Sequence, residues 1–354
     1  MDKYIGLDVH VRSTTCAVLD ETGKKQRGEV VETTARALVE WVLGVTGERH
    51  ICFEEGGQSA WLHELLLPYA KEVVCIQRRR REGPKNDARD ALALAEDLRR
   101  GTLERVVYKG SGPFGGLRQA VRAHRLITQD LSRVKSRLKA VYRSRGLCCE
   151  GEEVYVPERR APWLAQLPPT SRELAEMLSH ELDAIQKLRD HAVERLAEEA
   201  AQHAVIDRLS TVPGIGLVRA AYLVAIVVTP WRFRSKRQFW SYCGFAVVTA
   251  SSADWVRQKG HWVRAKSTRT RGLNLNRNPV MKDVFKGAAL SAMQMPDEHP
   301  LKQDYLQMLA RGMRPNMARL TLARKLAATV LAIWKHEEVY DSTKRYRPPK
   351  SSAA

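Results

Sequence analysis

The sequence predicts an α/β domain at the N-terminus, followed by two long helices and a mostly helical C-terminal region. Short runs rich in β-branched residues alternate with helical segments over roughly the first 110 residues. Beyond them, apolar residues recur three or four positions apart over long stretches, which is typical of amphipathic helices. A chain of 354 residues is long enough for two or three domains, each with its own buried core.

The N-terminal domain is predicted to contain five strands and three helices. The strands cover Tyr4–Asp8, Thr14–Leu19, Glu29–Glu32, His50–Glu54 and Val73–Gln77. The helices cover Ala35–Leu43, Ala60–Tyr69 and Asp87–Arg100. A β-hairpin that is followed by alternating helices and strands indicates a central mixed sheet.

Two long helices with coiled-coil-like apolar stripes are predicted next. The first runs from Gly115 to about Arg145, and the second carries its stripe from Leu174 to Leu196. A segment rich in Gly, Pro and Cys, residues 146–170, separates them. The pattern is compatible with an antiparallel hairpin, with pairing between subunits and with packing on the core of their own domain, and it does not choose among these arrangements.

The C-terminal region is predicted to be mostly helical. It begins near Ile206 and ends in an amphipathic helix at Met317–Trp334, after which the final residues are expected to be disordered. The predicted segments are therefore the α/β domain at 1–110, the long helices at 111–205, the C-terminal domain at 206–344 and the tail at 345–354.

Charge and composition narrow the class of protein. The 59 Lys and Arg residues exceed the 40 Asp and Glu residues, giving a net charge of +19 that attracts polyanions, nucleic acid first among them. The N-terminus lacks a signal-peptide pattern, and the longest apolar run, Ala220–Val228, is too short to span a bilayer, so we expect a soluble intracellular protein. Six cysteines without a Cys-x-x-Cys pair indicate reduced structural thiols.

Four acidic residues stand where the predicted elements would bring them together. Asp8 and Glu54 each end a predicted strand, and Asp87 and Asp90 lie three apart at the start of a helix, hence on one face of it. Converging carboxylates repel one another unless divalent cations neutralise them, and oxygen ligands suit Mg²⁺ or Mn²⁺. Such clusters catalyse displacement at phosphodiesters. Taken singly, each residue is better explained as an ordinary strand-end or first-turn acid, and the order of strand Asp, strand Glu and helical Asp-x-x-Asp is what points to a site.

The segments around these acids resemble a known family. The three segments are Gly6–His10, Cys52–Gly57 and Lys85–Ala95. They are similar to the blocks of the DEDD transposases of IS110-type insertion sequences. The resemblance implies a RuvC-like, ribonuclease-H-type fold in which Asp8, Glu54, Asp87 and Asp90 form the acidic quartet. Glu55 is the rival for the second position, and the family block favours Glu54.

The C-terminal region contains a long basic stretch. From Arg257 to Lys282 there is no acidic residue, and Trp255, His261 and Trp262 lie in or beside the stretch. Basic groups bind phosphates and aromatic rings stack on bases, so the stretch is predicted to bind nucleic acid. The residues assigned to this role are Arg257, Lys259, Trp262, Arg264, Lys266, Arg269, Arg271 and Arg277.

The C-terminal region also carries segments similar to the second domain of the same family. These are Pro213–Gly216, which itself resembles a helix-hairpin-helix turn, Arg237–Phe239 with Tyr242–Gly244, Arg269–Gly287 and Ala323–Leu326. In the family a serine shortly after the middle glycine is the nucleophile. Spacing favours Ser252 here, and Ser251 remains open because the usual Ser-Gly pair is missing. The longer Lys266–Asn278 stretch stands in place of the family's compact Lys-x-Gly block.

The resemblance implies a mechanism and partners that composition and spacing do not show. The serine would form a covalent phosphoserine with DNA, while the acidic quartet and its metal stabilise the transition state. A structured bridge RNA would pair with donor and target DNA. We also expect a dimer or tetramer that acts in the bacterial cytoplasm at the nucleoid.

Three other functions compete with this interpretation. A metal-dependent nuclease or Holliday-junction resolvase would keep the acidic quartet and use water as the nucleophile. An actin-like ATPase also opens with a strand-Asp hairpin, but the sequence lacks the later Asp-Gly-Gly phosphate loop. A non-catalytic nucleic-acid scaffold would bind nucleic acid without needing any of the four acids.

Overall fold

A computed structural model describes residues 1–77, 86–103, 106, 112–249, 255–264 and 270–344. The chain divides into two compact units, Met1–Gly115 and Gly116–Ala354.

The first unit is built on a five-stranded mixed sheet. The strands are β1 (Asp2–Val9), β2 (Ser13–Leu19), β3 (Lys25–Glu32), β4 (Glu48–Glu54) and β5 (Glu72–Ile76), and their order in the sheet is β3-β2-β1-β4-β5. The first three pair antiparallel, whereas β1, β4 and β5 run parallel. The predicted central mixed sheet and all five predicted strands are therefore confirmed.

Helices cover both faces of this sheet. They are α1 (Ala35–Leu43), α2 (Ser59–Leu66, extended by a 3-10 turn to Tyr69) and α3 (Asp87–Arg99). The core on one face joins Ile5 and Phe53 of the sheet to Leu38 of α1 and Leu62 of α2. A smaller core on the other face joins Cys52 and Ile76 to Leu94 and Leu98 of α3. This division follows the alternation of side chains along each strand.

Helix α3 lies directly on strand β1 because Gly6 has no side chain. A Cβ atom at Gly6 would stand 1.9 Å from the carbonyl oxygen of Ala91 and 2.6 Å from the amide nitrogen of Ala95. The helix begins at an N-cap, Asn86, whose side chain accepts a hydrogen bond from the backbone N–H of Arg89. Its first turn is thereby held beside the end of β1.

The second unit begins with an antiparallel pair of long helices, α4 (Gly115–Arg143) and α6 (Pro169–Ala200). The start of α4 lies beside the end of α6, since a Cβ at Gly116 would meet the carboxylate of Glu199. At the other end, Arg145 Nε donates to Ser171 Oγ at 3.0 Å. The pattern left three arrangements open, and the structure shows the intrachain hairpin.

The hairpin has its own hydrophobic core at the end where the chain turns. The buried side chains come from both helices and from the connecting segment, which includes the short helix α5 (Ala161–Leu164): Leu131, Val134, Leu138, Tyr142, Cys149, Val154, Leu167, Ala175 and Leu182. Arg160 of this segment ties it to α6, because its two terminal nitrogens each donate to Asp183 at 2.6 Å.

The remainder of the second unit is mostly helical, as predicted. Its helices are α7 (Ala204–Ser210), α8 (Leu217–Val227), α9 (Lys236–Tyr242), α10 (Pro279–Met293), α11 (Pro300–Ala310) and α12 (Pro315–His336). Two small antiparallel ribbons pair β6 (Val247–Thr249) with β9 (Thr270–Leu273) and β7 (Trp255–Gln258) with β8 (His261–Arg264). The apolar run of Ala220–Val228 forms most of α8 and is largely buried. Within the described chain, no helix is both long and apolar enough to cross a membrane.

Candidate active site and nucleic-acid interface

Asp8 and Glu54 lie at the same end of the neighbouring parallel strands β1 and β4. Leu7 of β1 pairs with Phe53 of the parallel strand β4, so the residues that follow them are also neighbours. Because side chains alternate along a strand, Asp8 shares a face with Gly6, and that is the face on which α3 packs. The register supports the predicted placement of Asp8 and Glu54 at one end of the sheet. Of the four predicted acids, Asp8 and Asp87 belong to the closely spaced ligand group found among the described residues, and Glu54 and Asp90 do not.

Asp87 and Asp90 lie in the first turn of α3. His10 joins the helix to the strand, because its Nε2 is 3.5 Å from Asp8 Oδ2 and 3.4 Å from Asp87 Oδ2. Donor atoms of Asp8, His10 and Asp87 all lie within 4.8 Å of one another. The Asp8 side chain is 15% exposed and that of Asp87 46% exposed, so the group forms an accessible edge of the first unit.

This group has the composition of a divalent-metal site. Carboxylate oxygens suit Mg²⁺ and Mn²⁺, and an imidazole nitrogen is acceptable to Mn²⁺. The positive N-terminal end of α3 also favours the negative charge of Asp87 and Asp90. The residues present therefore fit a catalytic metal ion, with Asp8 and Asp87 as the nearest carboxylates.

Sequence reasoning did not assign a role to His10. Its signal was present, because a residue two positions after Asp8 falls on the same face of an extended chain. Glu54 is exposed at the end of β4, where the strand pairs with Ile76 of β5. Lys85, within the third family-like segment, lies outside the described residues.

The family-like segments of the second unit form one framework. Gly244 has a φ of +73°, and a Cβ there would stand 2.0 Å from Cδ of Arg277. Arg324 Nε donates to the carbonyl of Phe245 at 2.9 Å, and Trp240 Nε1 donates to the carbonyl of Arg324 at 2.9 Å. Segments far apart in the chain therefore meet around Gly244, immediately before strand β6.

The turn between α7 and α8 also packs against this framework. Gly214 has a φ of +78°, and a Cβ there would stand 2.6 Å from the carbonyl oxygen of Ala288 in α10. Arg219 links the turn to α10, because its Nη1 donates to the Gly214 carbonyl at 2.7 Å and to Ser291 Oγ at 3.0 Å. Burial lowers the pKa of Arg219.

The ribbon of β7 and β8 presents an aromatic and basic face to solvent. Arg257 pairs with Trp262, and Trp255 is on the same face because it lies two residues before Arg257. Trp255 is 63% exposed and Trp262 is 65% exposed. The ribbon turns at Lys259 and Gly260, which both have positive φ angles, of 46° and 83°. Exposed indole rings beside guanidinium groups suit stacking on nucleobases and contact with phosphates.

Of the remaining residues assigned to catalytic and nucleic-acid roles, the structure describes only some. Arg277 is half-buried, and its aliphatic stem covers Gly244. Ser251, Ser252, Lys266 and Arg269 lie outside the described residues, as do the side chains of Arg264 and Arg271.

Comparison with protein families matches two regions of the chain. A model for the transposases of the DEDD IS110 type matches residues 5–144, and a model for transposases of the IS116/IS110/IS902 family matches residues 206–300. The chain belongs to the IS110-type transposases. A putative transposase of Sinorhizobium fredii, y4qE, is 21% identical over 94% of this chain and 88% of its own length. A probable family 20 transposase of Pseudomonas aeruginosa is 26% identical over 73% of this chain and 75% of its own length.

The two matched regions divide the candidate residues of the transposase between them. The first contains all four acidic residues together with His10, and the second contains both serines and the β7–β8 ribbon. Membership in this family implies a DNA substrate, cleavage and rejoining of strands, and the use of a divalent metal ion.

Proposed function

We propose that this transposase cuts and rejoins DNA through a RuvC-like domain that binds metal and a C-terminal domain that supplies a serine nucleophile. The observation that carries the proposal is that His10 Nε2 lies between two carboxylates at one end of the sheet. It is 3.5 Å from Asp8 Oδ2 and 3.4 Å from Asp87 Oδ2. The strand order β3-β2-β1-β4-β5, with β2 antiparallel to β1, supports a ribonuclease-H-type fold.

Asp8, Glu54, Asp87 and Asp90 form the proposed Mg²⁺ or Mn²⁺ site. A bound metal would supply Lewis-acid stabilisation of charge that develops on the phosphate. His10 lies between the carboxylates of Asp8 and Asp87 and would orient them. Glu54 is preferred to Glu55 because strand alternation puts it on the face of Asp8, whereas the backbone N–H of Glu55 donates to the Ile76 carbonyl at the end of the sheet.

Ser252 is the proposed nucleophile, with Ser251 as its rival. Its Oγ would bond to the phosphorus of a DNA phosphodiester while the bond from phosphorus to the leaving deoxyribose oxygen breaks. The resulting seryl phosphodiester conserves the bond energy that rejoining needs. The framework around Gly244 supports this assignment, because it holds strand β6, which ends at Thr249, just before the two serines in the chain.

The exposed face of the β7–β8 ribbon, Trp255 with Arg257 and Trp262, is the proposed nucleic-acid contact in the described chain. Family resemblance further suggests donor and target DNA, a structured bridge RNA, and a dimer or tetramer at the bacterial nucleoid. Sequencing the RNA that copurifies with the protein tests the bridge RNA directly. A structured RNA encoded beside the transposase gene is expected, and only bulk cellular RNA would contradict it.

A metal-dependent nuclease or junction resolvase is the second candidate. It is favoured because Asp8, His10 and Asp87 place three potential metal ligands within 4.8 Å of one another, and a metal bound there could activate water without the serine. Incubation of donor and target DNA with the purified protein, its copurifying RNA and Mg²⁺ separates the two functions. A transposase yields joined strands, whereas a nuclease yields only ends.

The same assay tests the metal site. Asp8→Asn and Asp87→Asn should abolish joining while nucleic-acid affinity is retained, and Glu32→Gln, at an exposed acid on β3, should keep full activity. Full joining by either Asn variant would remove that residue from the site.

A further inference from the structure

A second cluster of metal-type ligands lies at the opposite end of the same two strands. Asp2 pairs with Glu48, and Tyr4 pairs with His50, where β1 and β4 begin. His50 also pairs with Glu72, the first residue of β5. All of these residues fall on the α3 face of the sheet, six residues along β1 from Asp8.

His50 is the buried member of this cluster. It is 8% exposed and stacks on Tyr4, with the ring centroids 5.1 Å apart. Its Nδ1 is 2.6 Å from Glu72 Oε1, so Nδ1–H donates a hydrogen bond to that carboxylate. The other nitrogen, Nε2, is buried, is 3.5 Å from Asp2 Oδ1 and makes no hydrogen bond within the described chain. A neutral ring with Nδ1–H carries a lone pair on Nε2, and a carboxylate has no proton to give it.

We propose that Asp2, Glu48 and His50 bind a divalent transition-metal ion of the zinc type, separate from the catalytic metal. Their ligand atoms lie within 4.8 Å of one another. Carboxylate oxygens and imidazole nitrogens are both zinc ligands, and three protein ligands would leave a coordination position for water. Glu72 fills the role of the carboxylate that typically accepts a hydrogen bond from the far side of a metal-bound histidine. The ion would fasten the first residue of β1 to β4.

Lys71 supplies a competing cation at this cluster. Its Nζ is 2.6 Å from Glu48 Oε2, and this hydrogen bond raises the pKa of Lys71. The Lys71 side chain is 57% exposed, so it can turn toward water when a metal binds Glu48. Replacing Lys71 by Met should therefore tighten metal binding several-fold, an effect opposite in sign to the loss of a ligand.

Calorimetric titration of the full-length protein with Zn²⁺ tests the proposal. The titration uses the Asp8→Asn/Asp87→Asn variant as background, so that the catalytic group does not contribute. We expect one Zn²⁺ to bind and to raise the melting temperature. Adding Asp2→Asn or Glu48→Gln should weaken this binding at least about tenfold and remove the thermal shift, whereas adding Glu32→Gln should change neither.

Either of two results would contradict the proposal. If Asp2→Asn and Glu48→Gln leave the Zn²⁺ affinity and the thermal shift of the background unchanged, or if the background binds no Zn²⁺, the cluster is not a metal site. The outcome is independent of strand exchange, because neither metal affinity nor melting temperature depends on joining of DNA, and the background lacks the carboxylates of Asp8 and Asp87.

Discussion

Gly6→Ala should disable the proposed active site without touching any of its ligands. The new Cβ would stand 1.9 Å from the Ala91 carbonyl oxygen, whereas ordinary contact begins at 3.4 Å. The neighbouring atoms belong to helix backbone, so the N-terminal half of α3 must withdraw by about 1.5 Å to accommodate the methyl group. Asp87 moves with the helix, and its contact with His10, now 3.4 Å, widens accordingly.

Two magnitudes follow from this displacement. Overpacking of this kind costs about 1–3 kcal/mol of folding free energy. A misplacement of about 1 Å in a catalytic group lowers a rate by roughly 100-fold. We therefore expect a variant that still folds, melts at a lower temperature and joins donor to target DNA roughly 100 times more slowly.

Gly28→Ala is the matched control. Gly28 lies in β3 of the same sheet, but a Cβ there would meet only the far end of the flexible Lys25 side chain, 2.7 Å from Cε. Because the Lys25 side chain can turn aside and the nearest backbone atom, the Cys16 carbonyl oxygen, is 3.7 Å away, this variant should melt and react like the wild type. If Gly6→Ala also behaves like the wild type in both assays, α3 does not lie against β1 as described, and the placement of Asp87 beside Asp8 fails with it.

Three further changes test other parts of the structure. Trp262→Ala should weaken single-stranded nucleic-acid binding by about 1–3 kcal/mol in a filter-binding assay, while Val263→Thr on the opposite face of the ribbon should not. Arg257→Gln should reduce the slope of log affinity against log salt by about one, and an unchanged slope would show that this side chain contacts no phosphate. Arg99 holds the pKa of Glu96 at about 2 instead of 4.5, so the stability that this pair contributes is complete above pH 4.5 and is lost as pH falls through 2. Glu96→Gln should therefore lower the melting temperature at pH 7, and this difference from the wild type should shrink between pH 4.5 and 2; a constant difference would contradict the assignment.

Local patterns predicted the strands and helices of the first unit. Runs such as Ile51–Phe53 are apolar and short between turn residues, and Asp87 and Asp90 follow the N-cap Asn86. The residues that end β1 and β4 could be identified for the same reason. Their convergence required only that the two strands be parallel neighbours, which the register confirms.

Contacts between distant segments were not predictable in the same way. His10 belongs to the acidic group only because α3 lies across β1, and that packing depends on the missing side chain of Gly6. Charge alone assigned Arg277 to phosphate binding, yet its stem is needed to cover Gly244.

The basic and aromatic composition of this stretch predicts nucleic-acid binding but not the β7–β8 ribbon, although the sequence contains a signal for its turn. Lys259-Gly260 lies between two short runs with aromatic and β-branched residues, Trp255–Gln258 and His261–Arg264. The two-residue turn formed here has positive φ at both positions, a conformation that glycine adopts readily and lysine seldom does. The lysine in the first position weakened that signal.

Trapping the reaction after cleavage tests the serine mechanism most directly. Denaturing the protein during reaction with labelled donor DNA, followed by peptide mapping, should reveal one DNA end joined to Ser252. Ser252→Ala should lose both the adduct and the joined product, and Ser251→Ala should keep them. Phosphate on Ser251 would move the nucleophile by one residue, whereas cleaved DNA with no adduct in any variant would contradict the serine mechanism and leave water as the nucleophile.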